Sequence, residues 1–293
     1  MEHAALNGSQ PVQRSAEQDE TLSPRNFQRL CEFVHTYCGI KLTLKKKSML
    51  DGRLRRRMRA LGIANTNEYC AYLFNQDAPE AQAELVHFID AVTTNKTDFF
   101  REPAHFSILE NRLLPAYRKA GHRHLKIWSA AASTGAEAYT IAMVIDHFFR
   151  DTGGFDYSIL ATDVCTDVLN KGMSALYSDT MIDPIPEDYR RRYVLVPNDP
   201  ARREFRIAAK LRAKVHFQHL NLMEERYGVE RDFDMIFLRN VLIYFDRQTQ
   251  ENVLAKLCEH LRPGGYLFLG HSESLSGARL PLFTIANTVF QRR

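Results

Sequence analysis

The chain has 293 residues, of which 45% are apolar and 25% charged, and its formal net charge at pH 7 is +4. These values are ordinary for a globular protein. No window approaches the roughly 18 uncharged apolar residues of a membrane span, and residues 1–20 lack the apolar core of a secretory signal, so we expect a cytoplasmic protein without membrane insertion. The five scattered cysteines exclude a disulfide framework, and the 11 histidines show no ligand spacing, so we predict no metal site.

The N-terminal third of the chain is predicted to be helical. Residues 1–22 are polar and mixed, as in a disordered tail. Ser23 and Pro24 suit the N-cap and the first turn of a helix that ends at Gly39. Further helices are expected near residues 46–61, 66–75 and 80–92. Residues 23–92 are therefore predicted to form a small all-helical domain.

Strands and helices alternate from residue 123 onward. Strands are predicted at residues 124–129, 157–162, 234–238, 266–269 and 283–291, with helices at 134–149, 166–174 and 248–261. The third strand is fully apolar between its ends, as expected in the middle of a parallel sheet. We predict an α/β fold over residues 123–293, with a doubly wound sheet that binds its ligand beyond the carboxyl ends of its strands.

Two segments depart from this alternation. Residues 190–219 contain three short strands, at 194–196, 204–207 and 215–219, and are predicted to form a small antiparallel β-subdomain insert. Residues 93–122 are predicted to link the two domains. Within this linker, residues 94–102 place polar groups beside two phenylalanines, which suits either a cover over a cleft or an ordinary amphipathic linker.

The turns after the first two predicted strands carry candidate ligand residues. The small residues of segment 129–135 allow a ligand to approach the N-terminus of the next helix, but Thr134 and Glu137 fit a capping box equally well. The dinucleotide motif G-x-G-x-x-G is absent. Asp163, at the end of the second strand, is placed either to accept ribose hydroxyls, which the position favours, or to cap the next helix.

Polar residues also follow the third predicted strand. Arg239 and Asn240 come directly after this buried strand, where a ligand contact and an ordinary cap and turn are both compatible with the pattern. Tyr244 and Phe245 follow, and aromatic residues in such a position more often belong to the core than to a site. The pattern alone leaves the function of this segment open.

The charge of the chain is concentrated in two basic segments. Residues 41–60 carry a local charge of +8 and residues 188–214 one of +6, which leaves −10 on the remaining positions. In the predicted helix 46–61, the face opposite the apolar stripe gathers Arg53, Arg55, Arg56 and Arg59. No Glu stands four residues away to pair with them. We interpret this face as a docking surface for an anionic partner, either nucleic acid or an acidic protein.

Several segments together resemble the chemotaxis receptor methyltransferases, the CheR family. The resemblance rests on TNKTDFFRE at 94–102, WSAAASTGAEAYTIAM at 128–143, ATDV at 161–164, FDMIFLRNVLIYFD at 233–246 and LRPGGYLFLGHSESL at 261–275. These motifs occur in family order, and the similarity covers residues 23–293. TNKTDFFRE with RNVLIYFD is a specific combination, whereas LRPGG alone is common among methyltransferases.

The resemblance implies an enzyme that transfers a methyl group from S-adenosylmethionine to glutamate side chains on the cytoplasmic helices of chemoreceptors. It implies a Rossmann-like methyltransferase domain that carries the β-subdomain insert and follows a helical substrate-docking domain, with residues 93–122 as a linker and cofactor-covering segment. It places the cofactor contacts at Asn95, Thr97, Arg101, Glu137, Asp163, Asn221, Leu222, Arg239 and Asn240. It places Tyr244 beside the transferred methyl group, and leaves Arg101 to bind either the cofactor carboxylate or the substrate.

The resemblance also suggests the partners. The four docking arginines would meet the acidic face of a receptor helix bundle, and in some family members the β-subdomain binds a pentapeptide at a receptor C-terminus. We expect a monomer that binds no nucleic acid. Two alternatives stay open. The basic helix favours a nucleic-acid methyltransferase, but the net charge of −10 on the rest of the chain argues against it. A non-catalytic, cofactor-binding signalling module is compatible with Ala136 and Cys165, which depart from the family pattern.

Overall fold

The computed structural model describes residues 22–75, 77–199, 201–275 and 280–293. The chain divides into two compact units, the first formed by residues up to 33 together with 42–92, and the second by residues 34–41 together with 93–293. The predicted disordered tail, residues 1–22, lies outside the described residues except for Leu22. Within the described ranges, no helix is long and apolar enough to cross a membrane.

The first unit is built from helices, as predicted. Its described elements are α1 (Pro24–Cys38), of which residues 34–38 belong to the second unit, a 3-10 turn (Leu44–Lys46), α2 (Lys47–Leu61), α3 (Thr66–Leu73) and α4 (Pro79–Val92). The hydroxyl of Ser23 accepts a hydrogen bond from the N–H of Asn26, which is the expected N-cap contact of α1. Gly62 ends α2 in the left-handed region, with φ 68°. Local signals therefore set both ends of these helices.

The second unit contains the strands. Those described are β1 (His124–Ala130), β2 (Asp156–Asp163), β3 (Leu176–Ser178), β4 (Val194–Leu195), β5 (Glu204–Ile207), β6 (Val215–His219), β7 (Phe233–Leu238), β8 (Leu261–Leu269), β9 (Leu282–Ala286) and β10 (Val289–Arg292). Seven of them form one sheet in the order β6-β2-β1-β7-β8-β10-β9. Pairing is parallel from β6 through β8 and antiparallel for β10 with β8 and with β9. The predicted doubly wound α/β fold is confirmed.

The second unit also contains helices. The described ones are α5 (Pro103–Ile108), α6 (Leu114–Lys119), α7 (Ala136–Phe149), α8 (Thr166–Ser174), α9 (Glu187–Tyr193), α10 (Ala209–Arg212) and α11 (Arg247–His260), with a π-helical turn at Leu109–Leu113. Helix α7 is buried over most of its length, because its sequence is apolar on almost every face. It follows β1 directly, so its N-terminus lies at the carboxyl end of that strand.

The predicted antiparallel insert is confirmed as a three-stranded sheet in the order β3-β5-β4. Its membership differs from the prediction. Residues 215–219, predicted to belong to the insert, form β6, a parallel edge strand of the main sheet beside β2. The third strand of the insert is β3, which the sequence did not indicate. A short, half-exposed strand carries no local signal of which strand it will pair with.

Two further predictions about the last strands are wrong. The single strand predicted at 283–291 is a hairpin of β9 and β10, and Thr288 in its turn has φ 53°. The strand predicted at 266–269 starts instead at Leu261, so that Pro263, Gly264 and Gly265 lie within β8. They form an irregularity there, because pairing with β7 passes from Leu261 directly to Tyr266.

The strand order places a switch point at β1. Its neighbours are β2 on one side and β7 on the other, so the chain adds strands in opposite directions from this point. Three non-glycine residues that follow β1 and β7 have positive φ, namely Ala131 at 65°, Ser133 at 51° and Asn240 at 59°. Strained backbone of this kind collects at functional sites. The carboxyl ends of β1, β2 and β7 are therefore where the site is to be sought.

Candidate functional site

The loop after β1 is tightly packed against its neighbours. Gly135 has φ 82°, and a Cβ on it would lie 2.7 Å from the Cζ of Phe217, so only glycine fits there. Gly135 is also the N-cap of α7, and Glu137 is bonded elsewhere, so Thr134 and Glu137 do not form a capping box. The small residues of this loop therefore serve close packing as well as any approach by a ligand.

Asp163 joins the loops that follow β1 and β2. Its carboxylate, in a residue that is 7% exposed, accepts hydrogen bonds from the N–H of Ser133 at 2.8 Å and of Cys165 at 2.9 Å. The bond from Cys165 is the local one expected of a residue just before a helix, and the bond from Ser133 reaches across the sheet edge. These two bonds orient the carboxylate at the end of β2.

Asn95 brings the linker to the same place. Its carbonyl accepts a hydrogen bond from the hydroxyl of Ser133 at 2.8 Å, and its side-chain amide contacts the Sγ of Cys165 at 3.3 Å. The linker residue thus contacts the loops after β1 and after β2. The role of this linker as a cover over a cleft stays a prediction.

A buried ionic network connects three further predicted site residues. Arg239, whose side chain is 2% exposed, pairs with Glu137 at 2.9 Å and with Glu102 at 2.9 Å. It also donates to the carbonyl of Arg101, at 2.5 Å. Glu137 in turn accepts a hydrogen bond from the hydroxyl of Ser129 in β1. A buried guanidinium bound by two carboxylates satisfies most of its donors and fixes the end of β7 against β1.

Glu102 is a member of this network that the sequence analysis missed. Burial alone would raise the pKa of its carboxyl group, but hydrogen bonds from Asn240 and Arg239 and the charge of Arg239 lower that pKa to about 2. Its carboxylate also lies 3.3 Å from the N–H of His271. No local pattern indicates this role, because Glu102 and Asn240 are separated by 138 positions in the chain.

Asn240 is held from two sides. Its side-chain amide donates to Glu102 at 3.0 Å, and its backbone N–H donates to the carboxylate of Glu273 at 3.0 Å. Burial raises the pKa of Glu273, which is 6% exposed, and hydrogen bonds from backbone N–H groups partly oppose that shift. Glu273 lies in the HSES part of the LRPGGYLFLGHSESL motif, but no local pattern indicates its role.

Tyr244 and Asn221 are both contacted by residues 34–41. The carbonyl of Tyr244 accepts a hydrogen bond from the N–H of Lys41 at 2.9 Å, and the side-chain amide of Asn221 donates to the carbonyl of Tyr37 at 2.5 Å. Tyr244 itself is half-buried, in a 3-10 turn that spans Leu242–Tyr244. The segment after α1 is therefore part of the surroundings of the candidate site, which the sequence analysis did not anticipate.

Two predicted residues lie in these segments without joining the network, and a third joins it only through its backbone. In the part of the chain that the structure describes, Thr97 and the buried side chain of Leu222 make no hydrogen bond or ion pair with it. The guanidinium of Arg101 donates to the carbonyl of Lys96 at 2.9 Å, and only its backbone carbonyl touches Arg239. Their predicted contacts with a cofactor stay predictions.

The docking face of α2 differs from its prediction. Arg53 is half-buried and donates to the carbonyls of Ala91 and Val92 in the last turn of α4, at 3.0 and 2.8 Å. Burial and the charge of Arg56 lower its pKa. Arg55 pairs with Asp51 four residues earlier, an acidic partner that the search for Glu overlooked. Arg55, Arg56 and Arg59 are exposed and Arg53 is structural.

One cluster resembles a metal site. Single ligand atoms of Glu102, His105 and His271 lie within 4.8 Å of one another, which sequence spacing could not show because His271 is distant in the chain. Burial and the charge of Arg239 lower the pKa of His105 to about 4, so His105 is neutral at pH 7. We assign no metal to this cluster, because Glu102 already pairs with the buried cation Arg239.

The residues at this edge fit S-adenosylmethionine. An oriented carboxylate at the end of β2 suits the two hydroxyls of a ribose. Among the described residues, the hydroxyl of Thr134 and the Nε of Arg239 are buried polar atoms without a partner, and both lie beside this edge. A doubly wound sheet with an acidic residue at this strand end is compatible with the class of the S-adenosylmethionine-dependent methyltransferases, whose cofactor carries a ribose.

Comparison with known proteins gives the family. The family model "CheR methyltransferase, SAM binding domain" matches residues 95–290, and "CheR methyltransferase, all-alpha domain" matches residues 25–93. The chain therefore belongs to the CheR methyltransferase family. It is 39% identical to the chemotaxis protein methyltransferase of Salmonella typhimurium over 256 residues, which cover 87% of this chain and 85% of the relative. Identity to the Escherichia coli chemotaxis protein methyltransferase is 38%, over 87% of this chain and 86% of the relative.

These findings establish the activity in outline. The protein is an S-adenosylmethionine-dependent methyltransferase of chemotaxis, in which S-adenosylmethionine is the cofactor. A third relative, from Borreliella burgdorferi, is 35% identical over 86% of this chain and 88% of its own length. The relatives match nearly full length, so the family's domain organisation extends over both units.

Proposed function

We propose that the protein methylates glutamate side chains on the cytoplasmic helices of chemoreceptors and forms γ-glutamyl methyl esters. The observation that carries this proposal is the cluster of Asp163, Glu137, Arg239 and Asn240 at the carboxyl ends of three neighbouring strands, in a chain of the CheR family. S-adenosylmethionine supplies a methyl group that is already activated on a sulfonium. A glutamate acceptor is ionised at pH 7, since its reference pKa is about 4.3, so no general base is required.

The protein's own residues would then bind the cofactor and orient it for methyl transfer. We propose that Asp163 accepts the ribose hydroxyls and that Glu137, Arg239 and Asn240 bind the rest of the cofactor together with Asn95, Thr97, Arg101, Asn221 and Leu222. Catalysis would come mainly from alignment of the reacting groups, beside Tyr244, rather than from acid–base chemistry. Arg101, which is half-exposed, is available for an anionic group of the cofactor or of the substrate.

The exposed part of the basic helix is the proposed receptor-docking surface. We define it as Arg55, Arg56 and Arg59 of α2, which are exposed, and exclude Arg53 because its guanidinium is bound to backbone carbonyls. An acidic face of a receptor helix bundle complements this surface, and the attraction would weaken as salt rises. The site of action would be the cytoplasm.

The direct test is chemical. The protein is incubated with radiolabelled S-adenosylmethionine and receptor-containing membranes, and with RNA in a parallel reaction. We expect base-labile methyl ester on the receptor and none on RNA. Labelled RNA would favour the nucleic-acid alternative, and cofactor binding without transfer to any receptor would favour the non-catalytic module.

The docking surface needs its own test. The double variant Arg56→Glu with Arg59→Glu should raise the KM for receptor and reduce the salt dependence of the rate. Lys119→Glu with Lys171→Glu is the matched control, because it makes the same charge change at exposed positions of the second unit. Equal effects of the two pairs would show that only net charge matters and would contradict a docking surface on α2.

The edge of the small sheet supports a second proposal. β4 is an edge strand of the three-stranded sheet, and the side chains of Leu195 and Val196 are 54% and 65% exposed. We propose that a receptor C-terminal pentapeptide adds to this edge, where backbone hydrogen bonds give affinity and side-chain contacts give specificity. Calorimetric titration with such a peptide should release or absorb heat, and the absence of any signal at high peptide concentration would contradict the proposal.

A further inference from the structure

Among the described residues, the hydrogen bonds of one buried carboxylate in the loop after β8 all come from backbone N–H groups. Glu273 accepts hydrogen bonds from the N–H groups of Val241 and Leu242 at 2.7 Å each through Oε1. Through Oε2 it accepts from Gly270 at 2.6 Å and from Asn240 at 3.0 Å. Four donors occupy the roughly four acceptor positions of an ionised carboxylate, so this side chain acts as an acceptor throughout.

Three of these four donors belong to the segment that follows β7. This segment begins with Arg239 and Asn240 and continues to Tyr244, which are the proposed cofactor-binding and methyl-adjacent residues. Asn240 has φ 59°, a left-handed conformation that Asn adopts more readily than most other non-glycine residues and that its surroundings here hold in place. Glu273 bonds the N–H of Asn240 and of the next two residues, so it fixes the backbone at this turn.

Gly270 provides independent support for this close fit. A Cβ on Gly270 would lie 2.6 Å from the side-chain nitrogen of Asn240, 2.8 Å from its backbone nitrogen and 2.9 Å from the Oε2 of Glu273. Only glycine allows the loop after β8 to approach the segment after β7 this closely. The two loops therefore form one packed unit around Asn240.

We propose that Glu273 is a positioning residue for cofactor binding, which acts by holding the backbone of residues 240–242 so that Arg239 and Asn240 face the cofactor. The proposal rests on the proposed roles of Arg239 and Asn240, and extends them to a residue that need not touch the cofactor itself. Glu102 holds the side chains of the same two residues, and Glu273 holds the backbone. The two carboxylates thus fix different parts of one segment.

The test compares Glu273, which bonds the segment after the carboxyl end of β7, with Asp234, which lies near the start of β7. Glu273→Gln keeps the size of the side chain but turns an NH₂ group toward two N–H donors. Asp234→Asn is the matched control, because Asp234 is 6% exposed, lies at the start of β7 and accepts from the N–H of Lys126 and from Arg262. Both variants should lower the unfolding temperature, since each disturbs a buried carboxylate with several hydrogen bonds.

Only Glu273→Gln should weaken the binding of S-adenosylhomocysteine, by about tenfold or more in Kd measured calorimetrically, with a matching rise in the KM for S-adenosylmethionine and an unchanged KM for receptor. Gly270→Ala should reproduce this pattern through displacement of Asn240, which keeps the proposal testable if Glu273→Gln does not fold. Wild-type affinity in both Glu273→Gln and Gly270→Ala, or an equal loss in Asp234→Asn, would overturn it. A wild-type protein that binds the cofactor but methylates no glutamate would refute the proposed function alone.

Discussion

The role of the segment after α1 can be tested with two glycines. Gly39 and Gly62 have nearly the same backbone conformation, with φ 73° and 68°. Alanine in this left-handed region costs about 1–2 kcal/mol. A Cβ on Gly62 would meet nothing within 4 Å, so Gly62→Ala measures that cost alone. A Cβ on Gly39 would lie 2.7 Å from the Sδ of Met223, so Gly39→Ala must also displace that side chain.

The extra effect at Gly39 can be bounded. Overpacking costs about 1–3 kcal/mol, and the lower end applies here because the clash is with the end of a flexible methionine side chain, so Gly39→Ala should destabilise the protein by about 2–3 kcal/mol in total. Met223 directly follows Asn221 and Leu222, and Asn221 donates its amide to the carbonyl of Tyr37. Loss of that hydrogen bond is worth about 0.5–1.5 kcal/mol, which corresponds to a weakening of S-adenosylhomocysteine binding by about twofold to tenfold if Asn221 contacts the cofactor.

Two measurements on each variant test whether residues 34–41 support the cofactor site. Urea denaturation gives the change in unfolding free energy, and calorimetry gives the Kd for S-adenosylhomocysteine. We expect both variants to be destabilised, Gly39→Ala by more, and only Gly39→Ala to lose affinity. Equal destabilisation of the two variants with unchanged affinities would refute the argument that residues 34–41 support the cofactor site.

Three other changes have defined outcomes. Glu84→Gln removes the buried partner of Arg57 and should cost about 1.5–3 kcal/mol in urea denaturation without changing cofactor affinity. Because the pKa of Glu102 is lowered from 4.5 to about 2, wild-type stability should fall as pH drops through that interval, and the unfolding temperature of Glu102→Gln should fall less. Gly172→Ala places a Cβ against the ring of Phe217, and overpacking of this kind costs about 1–3 kcal/mol. The gain in helix propensity from Gly to Ala is roughly 1 kcal/mol, which is smaller. The variant should therefore unfold at a lower temperature than the wild type.

Elements with strong local signals were predictable from the sequence. The apolar run at 235–238 identified a central parallel strand, and β7 is buried at all six positions. Capping residues and terminal glycines identified the ends of helices, as at Ser23 and Gly62. The pairing of β6 was not predictable, because an edge strand with exposed residues specifies neither its partner nor its sheet.

The residues of the candidate site also fall into those that the sequence could predict and those that it could not. Asp163 and Arg239 could be predicted as candidate site residues because the end of a parallel strand is recognisable in a sequence. Glu102 and Glu273 were not, because their importance lies in contacts with Asn240, which is 138 and 33 positions away. Glu102 is the N-cap residue of α5 but its side chain makes no capping hydrogen bond, and Glu273 lies in the loop after β8. Residues that hold the ligand-binding residues become visible only when the fold brings distant segments together.

The basic helix shows why a charge count overstates a binding surface. The segment 41–60 carries +8, yet Arg57 is bound to the buried Glu84 and Arg53 to the last carbonyls of α4. A cation at the C-terminal end of a helix stabilises its unpaired carbonyls, so Arg53 contributes to the first unit itself. The guanidinium groups left at the surface are those that an acidic partner can reach and that salt can screen. Receptor docking should therefore depend on Arg55, Arg56 and Arg59, and folding of the helical unit on Arg53 and Arg57.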